Sequence, residues 1–325
     1  MPPMIETTNL TKRYGELMAL SNLNLTIEAG QCFGFIGPNG AGKTTSIKIL
    51  ATLLKPTWGE ARVDGLSVGP VNARQVRSII GYVPDYFGSY DDMVVEEYLA
   101  FFAASYGITG DQRKQVIGDV LDLTDLAYKR DAEVNSLSRG MQQRLSVARV
   151  LLHDPKVLLL DEPASGLDPR ARIEMRELLK ELHLMGKTIL ISSHILLELA
   201  DLCDVVGVME QGELKFTGTM EEILERAQQS GGAAVLTVGV DGKQAQAAAL
   251  LKALPGVSEV QPTKTGTLKV TFAQRAAGSP SAAGPPPAAA VAKALIEGGF
   301  ALTRLDEEQM NLETAFMRLT KGLVQ

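Results

Sequence analysis

Lys43 closes a glycine-rich run, Gly37-Pro38-Asn39-Gly40-Ala41-Gly42-Lys43-Thr44, that fits the pattern GxxxxGK[ST] in full. Glycines at these spacings let consecutive backbone N–H groups turn inward around an anion, and a helix beginning behind them adds its partial positive charge. A lysine at this point brings a mobile full charge to the β- and γ-phosphates, and the Thr44 hydroxyl is placed to ligate Mg²⁺. Pro38, Asn39, Gly40, Ala41 and Thr45 complete the nucleotide-binding set. The chemistry implied is binding and hydrolysis of ATP, with Mg²⁺ as cofactor. A second candidate follows downstream, where the apolar run Val157-Leu158-Leu159-Leu160 ends in Asp161-Glu162. A strand-end aspartate suits a magnesium ligand acting through water, and the next carboxylate suits orienting or deprotonating an attacking water. Apolar strands often meet solvent at acidic residues, so it is the phosphate loop upstream that gives this pair its catalytic reading. The loop alone does not choose among kinases, GTPases, recombinases and transporters.

Elements of regular structure must bring these groups together. Phe33–Ile36 reads as a strand leading into the loop, and residues 45–50 as a helix leading out. Residues 32–36, 79–83, 157–160, 188–192 and 205–209 read as strands, several apolar throughout, which suits a sheet covered on both faces. Residues 6–27 and 60–64 look like antiparallel strands and turns. Val94, Tyr98 and Phe102 recur on one helical face, as do Leu145, Ala148 and Leu152. The expectation is a mixed α/β core with an antiparallel β subdomain and a helical insert over about residues 85–150.

Composition changes near residue 230. Residues 1–229 are expected to form the nucleotide-binding domain and residues 230–325 a small α+β domain. The second domain should hold strands at 234–240, 257–261 and 268–272, helices at 244–253 and 288–298, and a short closing helix at 311–319. Residues 273–287, rich in Ala, Gly, Ser and Pro, read as a disordered loop. With 45% hydrophobic and 22% charged residues, the chain can bury a large core. A net charge of −6 argues against a nucleic-acid partner. Cys32 and Cys203 lie far apart in sequence without metal-ligand spacing, and read as reduced, buried thiols of a cytoplasmic protein. No apolar run is long enough to span a bilayer, and the start lacks the pattern of a signal peptide.

Between the two candidate sites lies Leu137-Ser138-Arg139-Gly140-Met141-Gln142-Gln143-Arg144, which resembles the LSGGQ signature of ABC (ATP-binding cassette) ATPases. Leu137, Ser138 and Gly140 match; Arg139 and Met141 depart from the usual Gly and Gln. A small hydroxyl and a glycine at a helix N-terminus offer an anion-binding concavity. The resemblance implies that Ser138, Arg139 and Gly140 act in trans, on the γ-phosphate held by the other protomer's phosphate loop. Tyr14 matches the aromatic that stacks on adenine, and Ser165-Gly166-Leu167-Asp168 resembles the D-loop, with Ser165 and Asp168 at the dimer interface. His194 matches the switch histidine that contacts the γ-phosphate and organises Glu162. His153 and His183 match nothing and read as structural. Asp85 stands where the family often has glutamine. An acidic residue there resembles a large prokaryotic branch that partners ABC-2-type permeases. Asp85 as a Mg²⁺ ligand and Asp85 as a helix cap are both compatible with the sequence.

The resemblance covers about residues 4–225, with its motifs in order. It implies a P-loop NTPase cassette that acts as a homodimeric ATPase on the cytoplasmic face of the cell membrane, through an integral-membrane permease. Residues 85–98, with Tyr86, Phe87, Tyr90 and Met93, are expected to receive that permease, although the same four side chains suit the insert's own core. The C-terminal domain resembles the accessory domain of the exporter-like branch. A chromosome-maintenance ATPase would need a long heptad segment between Gly42 and Ser138, for which there is no room. A translation factor would carry two cassettes and basic linkers, and a regulatory cassette would not need Asp161, Glu162 and His194. A soluble ABC ATPase unconnected with transport is the alternative.

Overall fold

The structure, a computed structural model, describes residues 3–86, 88, 92–229, 235–263, 266–272 and 287–307. It divides into two compact units, residues 1–220 and 221–325. In chain order the first unit holds β1 (Ile5–Tyr14), β2 (Leu17–Ile27), β3 (Cys32–Ile36), α1 (Lys43–Leu50), β4 (Trp58–Val63), β5 (Leu66–Ser67), α2 (Ala73–Ile79) and β6 (Ile80–Val83). It continues with α3 (Val95–Ser105), α4 (Gly110–Leu123), α5 (Arg139–Leu151), β7 (Val157–Asp161), α6 (Pro169–Leu184), β8 (Thr188–Ser193), α7 (Leu196–Ala200), β9 (Val205–Glu210) and β10 (Glu213–Gly218). The helix α8 (Met220–Gln229) starts at the boundary.

Two sheets build the first unit. One is antiparallel, in the order β2-β1-β4-β5. The other has six strands in the order β10-β9-β3-β8-β7-β6, parallel except where β10 meets β9. All five residues of β3 and of β7 are buried, as befits strands covered on both faces. α1 packs between the sheets, touching β2 and β4 on one side and β7 and β8 on the other. Ile47, Ile49 and Leu50 of α1 join Ile5, Leu20, Phe33, Phe35 and Leu159 in one core. The loop that precedes α1 is thereby clamped from both sides.

Parallel pairing puts the carboxyl ends of β3, β6, β7 and β8 along one edge. Ile36 sits opposite Ser193, and Asp161 opposite Ser192. Open α/β sheets bind ligands outside this edge, so the chemistry-bearing residues meet there as a consequence of topology. The helices α3, α4 and α5 pack on one another as the expected insert. Among the described residues no helix is long and apolar enough to cross a membrane.

The second unit runs β11 (Val235–Val240), α9 (Gln244–Lys252), β12 (Val257–Pro262), β13 (Leu268–Phe272), α10 (Pro287–Glu297) and β14 (Leu302–Glu307). Its antiparallel sheet has the order β12-β13-β11-β14, the arrangement of a β-α-β-β-α-β split motif. Leu236, Val238, Leu268 and Val270 alternate toward Ala247 and Leu251 of α9 and Val291 and Leu295 of α10. The expected loop at 273–287 and closing helix at 311–319 fall outside the described residues, except that Pro287 opens α10.

The two cysteines meet. Sγ of Cys32 and Cys203 lie 3.6 Å apart although 171 positions separate them, because β3 and the turn after α7 adjoin. Both are free thiols. The contact to Cys32 and burial hold the Cys203 thiol well above its ordinary pKa, which keeps it protonated and unreactive.

Candidate functional site

Gly42 makes the phosphate loop possible. Its φ of 104° lies in the left-handed region, and a Cβ there would stand 2.8 Å from the Ala19 carbonyl. The chain can therefore turn hard and start α1 at Lys43. Lys43, only 3% exposed, donates from Nζ to the carbonyls of Gly37 at 2.6 Å and Pro38 at 3.1 Å. The same ammonium lies 3.4 Å from Oε1 of Glu162.

Asp161 and Thr44 come together as β7 ends beside α1. Thr44 Oγ1 donates to Asp161 Oδ1 at 2.9 Å, and Ser192 Oγ donates to the same oxygen at 2.9 Å. The second oxygen, Oδ2, is buried with no partner. Burial raises the Asp161 pKa; the two hydroxyls oppose the shift, and the nearby Asp85 carboxylate adds to it. Lys48 acts in the lowering direction. An orphaned carboxylate oxygen beside a threonine hydroxyl and a second carboxylate is a donor set that a hard divalent cation fits. Among the described residues no three His, Cys, Asp or Glu side chains converge on a metal position.

Glu162 follows Asp161 with φ of 48°, an uncommon conformation for a residue with a side chain. Its N–H donates to Ser192 Oγ at 3.0 Å, which fixes the backbone. The carboxylate then reaches His194, whose Nδ1 lies 2.8 Å from Oε2. Ser192 therefore serves both acidic residues at once. The sequence reading missed it, and the signal available was a hydroxyl two positions before the histidine on the strand paired with β7.

A cavity of about 630 Å³ opens beside Lys43, Thr44 and Glu162. Asn39–Thr45 and Glu162 form one part of its wall, and Tyr14, Leu17, Met18 and Ala19 another. Gln211 also lines it and was not anticipated. The Tyr14 ring is 47% exposed, with the Lys12 ammonium 5.0 Å from its centroid, so it offers a flat apolar surface to a base. The volume suits a ligand the size of a nucleotide. Gly37 and Pro38 belong to the loop's entry, where their carbonyls hold Lys43.

Tyr82 on β6 is a further residue that sequence reading passed over. Its hydroxyl is buried without a partner, and burial, then the charges of Asp161 and Asp85, push its pKa up to about 12. Asp85 itself is exposed, as is Tyr86 beside it. Phe87 and Tyr90, expected on the same surface, lie outside the described residues, and Met93 is half-buried.

The signature residues start α5. Ser138 is its N-cap and accepts from the Met141 N–H at 3.3 Å. Gly140 is buried, close to Ala171 of α6. Asp168 caps α6 by accepting from the N–H groups of Arg170 at 3.0 Å and Ala171 at 2.9 Å, and Ser165 donates its N–H to the Glu162 carbonyl at 3.0 Å. The exposed Arg139 guanidinium lies over Gly166: a Cβ at Gly166 would be 2.6 Å from Cζ and Nη1. Ser138, Arg139 and Gly140 are thus apart from the cavity walled by Asn39–Thr45 in the same chain. His153 Nε2 meets the Ile80 carbonyl at 3.0 Å and its ring stacks on Tyr106, while His183 pairs with Asp204 at 3.3 Å.

Residues 20–165 match the family model described as ABC transporter. The chain is 40% identical over 221 residues to the "Nod factor export ATP-binding protein I" of Burkholderia orbicola (strain AU 1054), spanning 68% of this chain and 72% of that protein. A protein of the same name from Rhizobium meliloti (strain 1021) is 41% identical over 208 residues, spanning 64% of this chain and 62% of that one. Among solved structures, cbiO1 from Clostridium perfringens, described as part of the ABC transporter complex cbiONQ, superposes with a TM-score of 0.64 at 28% identity, over 71% of this chain and 94% of that one. The dimeric cassette MJ0796 superposes with a TM-score of 0.61 at 29% identity, over 66% of this chain and 98% of that one. A further structure of MJ0796, in a post-hydrolysis state bound to ADP and Pi, gives a TM-score of 0.60.

Proposed function

The chain belongs to the family of ABC transporter ATP-binding subunits, ATPases by membership, and on that premise we propose that it is the homodimeric motor of an exporter. The single observation that carries the catalytic part is the Glu162 carboxylate, held between His194 at 2.8 Å and Lys43 at 3.4 Å at the edge of the nucleotide cavity.

In this reading the backbone of Gly37–Thr44 cradles the phosphates, Thr45 contacts them at the helix start, and Tyr14 supports the adenine. Thr44 and Asp161 would hold Mg²⁺, with Asp85 as a further carboxylate beside them. When bound, that ion neutralises charge on the β- and γ-phosphoryl oxygens. Lys43 leaves its own loop's carbonyls for the phosphates. Glu162 orients and deprotonates the attacking water, and His194 fixes the Glu162 carboxylate and approaches the γ-phosphoryl group. Ser138 and Gly140 act on the other protomer's nucleotide, and Ser165 and Asp168 lie at the interface between the two. ATP is then part of the dimer contact, so its binding favours closure and its hydrolysis releases it.

Export is favoured because relatives at about 40% identity bear export in their names. The permease would dock on the segment 85–98, where Tyr86 is 79% exposed. The protein would sit on the cytoplasmic face of the membrane through that partner. Purification of the full chain from detergent-solubilised membranes tests the transport half. An integral-membrane protein in stoichiometric amount is the expected result; a dimer active in ATP hydrolysis that carries no membrane protein would favour a soluble ATPase.

A further inference from the structure

His194 stands on a short turn between β8 and α7, and nothing in β8 itself fixes its ring. One neighbour, Ser193, is bound to a carboxylate instead, and the other, Ile195, is bound to Ser193. Ser193 Oγ donates to Glu198 Oε2 at 2.6 Å, a short charge-assisted bond, and Ser193 Oγ in turn accepts the Ile195 N–H at 3.0 Å. Glu198 lies one helical turn beyond His194, with its side chain 17% exposed. Its other oxygen, Oε1, is buried without a hydrogen bond and faces Arg172 Nε, also buried and unbonded, across 3.8 Å. That distance is an ion pair but not a hydrogen bond. Arg172 stands on the first turn of α6, and its N–H donates to the carbonyl of Asp168, the residue that caps that helix.

We propose that Glu198 is a positioning residue for His194, tethered through Arg172 to the helix that follows Asp168. The inference rests on the role given to His194 above. Glu198 holds Ser193 and, through its hydroxyl, Ile195, so the backbone on either side of the histidine has one anchor. The Arg172 contact ties that anchor to α6, so displacement of the Asp168 end of α6 relative to α7 alters where the imidazole stands. Two buried polar atoms that face each other just beyond bonding distance form a contact that a small shift completes.

The test uses the full-length protein and a double-mutant cycle with steady-state MgATP hydrolysis as the readout. Glu198→Ala is expected to lower kcat about ten- to hundred-fold, the scale of a reacting group displaced by around 1 Å, with KM for ATP unchanged. Glu198→Gln keeps an acceptor for Ser193 and should recover to within about five-fold of wild type, since it loses only a partly exposed ion pair. Arg172→Ala should lower kcat by no more than that, and by nothing further in the Glu198→Gln background. In the double variant His194→Ala/Glu198→Ala, kcat should match His194→Ala alone. The proposal is overturned if the two losses multiply, if Glu198→Ala keeps wild-type kcat, or if the Ala and Gln variants lose activity equally and in step with folded fraction. An unaltered kcat in His194→Ala would bring down the reading of the site itself, and the proposal with it; the other outcomes leave that reading standing.

Discussion

His194 Nδ1 lies 2.8 Å from Glu162 Oε2, and the opposite oxygen of the same carboxylate lies 3.4 Å from Lys43 Nζ. A carboxylate held from both sides is fixed in direction. Glu162→Gln preserves shape and removes the group proposed as the base. ATP affinity should stay within about two-fold, turnover should fall by about 100-fold or more, and the ATP-bound dimer should persist long enough to be seen by light scattering. Unchanged phosphate release would remove Glu162 from its role.

Ser192 serves the two acidic residues from the neighbouring strand, accepting the Glu162 N–H and donating to Asp161 Oδ1. Ser192 is fully buried, so Ser192→Ala leaves the Glu162 N–H without its partner, in a backbone conformation that depends on it. A stability loss of about 1–3 kcal/mol is expected from denaturant unfolding. A fall in kcat at unchanged ATP affinity should accompany it, since the hydroxyl's bonds run to Asp161 and Glu162.

How far the sequence revealed this site follows from what lies close in the chain. Gly37–Thr44 is contiguous, and the apolar run before Asp161 announces a covered strand, so both read directly. Strand pairing brought Ser192 against Asp161 from 31 positions away, and packing brought Cys203 to Cys32; neither leaves a local pattern. Tyr82 was hidden for another reason. In a half-apolar strand a tyrosine reads as core, and only the buried, unpartnered hydroxyl marks it as different. The βαββαβ order of the second unit was half legible: three strands and two helices stood out, whereas β14 ends the unit with the mixed residues Leu302-Thr303-Arg304-Leu305-Asp306-Glu307 and shows no clear alternation.

Asp161 carries a penalty that a cation held beside it would relieve. Burial raises its pKa, so the folded protein resists its charged form, and stability without metal should fall as pH rises through that raised value. Asp161→Asn should abolish that slope and raise the thermal midpoint of the metal-free protein, while lowering Mg²⁺ affinity about 10- to 100-fold. Calorimetry in chelator across pH, together with a Mg²⁺ titration, separates the two effects. A lower midpoint in the variant would mean that the hydroxyls of Thr44 and Ser192 compensate the buried charge fully.

His153 should give the first unit an acid-sensitive joint. Its Nε2 meets the Ile80 carbonyl, its Nδ1 is buried without a partner, and its ring stacks on Tyr106 at 4.2 Å. Burial lowers its pKa below the ordinary 6.5. In the unfolded chain the imidazole takes up a proton near that ordinary value, whereas in the fold it resists. Its contribution is therefore complete above pH 6.5 and is lost as pH falls through the lowered value. His153→Gln should flatten the dependence of unfolding free energy between pH 7 and 5, and lower it at pH 7 by about 1 kcal/mol through the lost stack. An equal slope in the two proteins would place the acid sensitivity elsewhere.

Gly166 and Arg139 make a pair whose two costs can be separated. Gly166 has φ of 68°, and a Cβ there would stand 2.6 Å from the guanidinium of Arg139. In Gly166→Ala the left-handed backbone alone should cost about 1–2 kcal/mol. The clash should add little to that, because the obstructing atoms are the far end of a flexible, exposed side chain that can move aside. Moving it does displace a positive charge from beside the first turn of α5, where Ser138 and Gly140 are proposed to meet a partner's nucleotide. Arg139→Ala alone should change stability by less than about 0.5 kcal/mol. In the Gly166→Ala background it should leave the stability loss in place while removing any activity loss that came from a misplaced guanidinium. Unfolding curves and hydrolysis rates on the four proteins decide it: stability restored by Arg139→Ala would make the clash, rather than the backbone angle, the reason a glycine stands at 166.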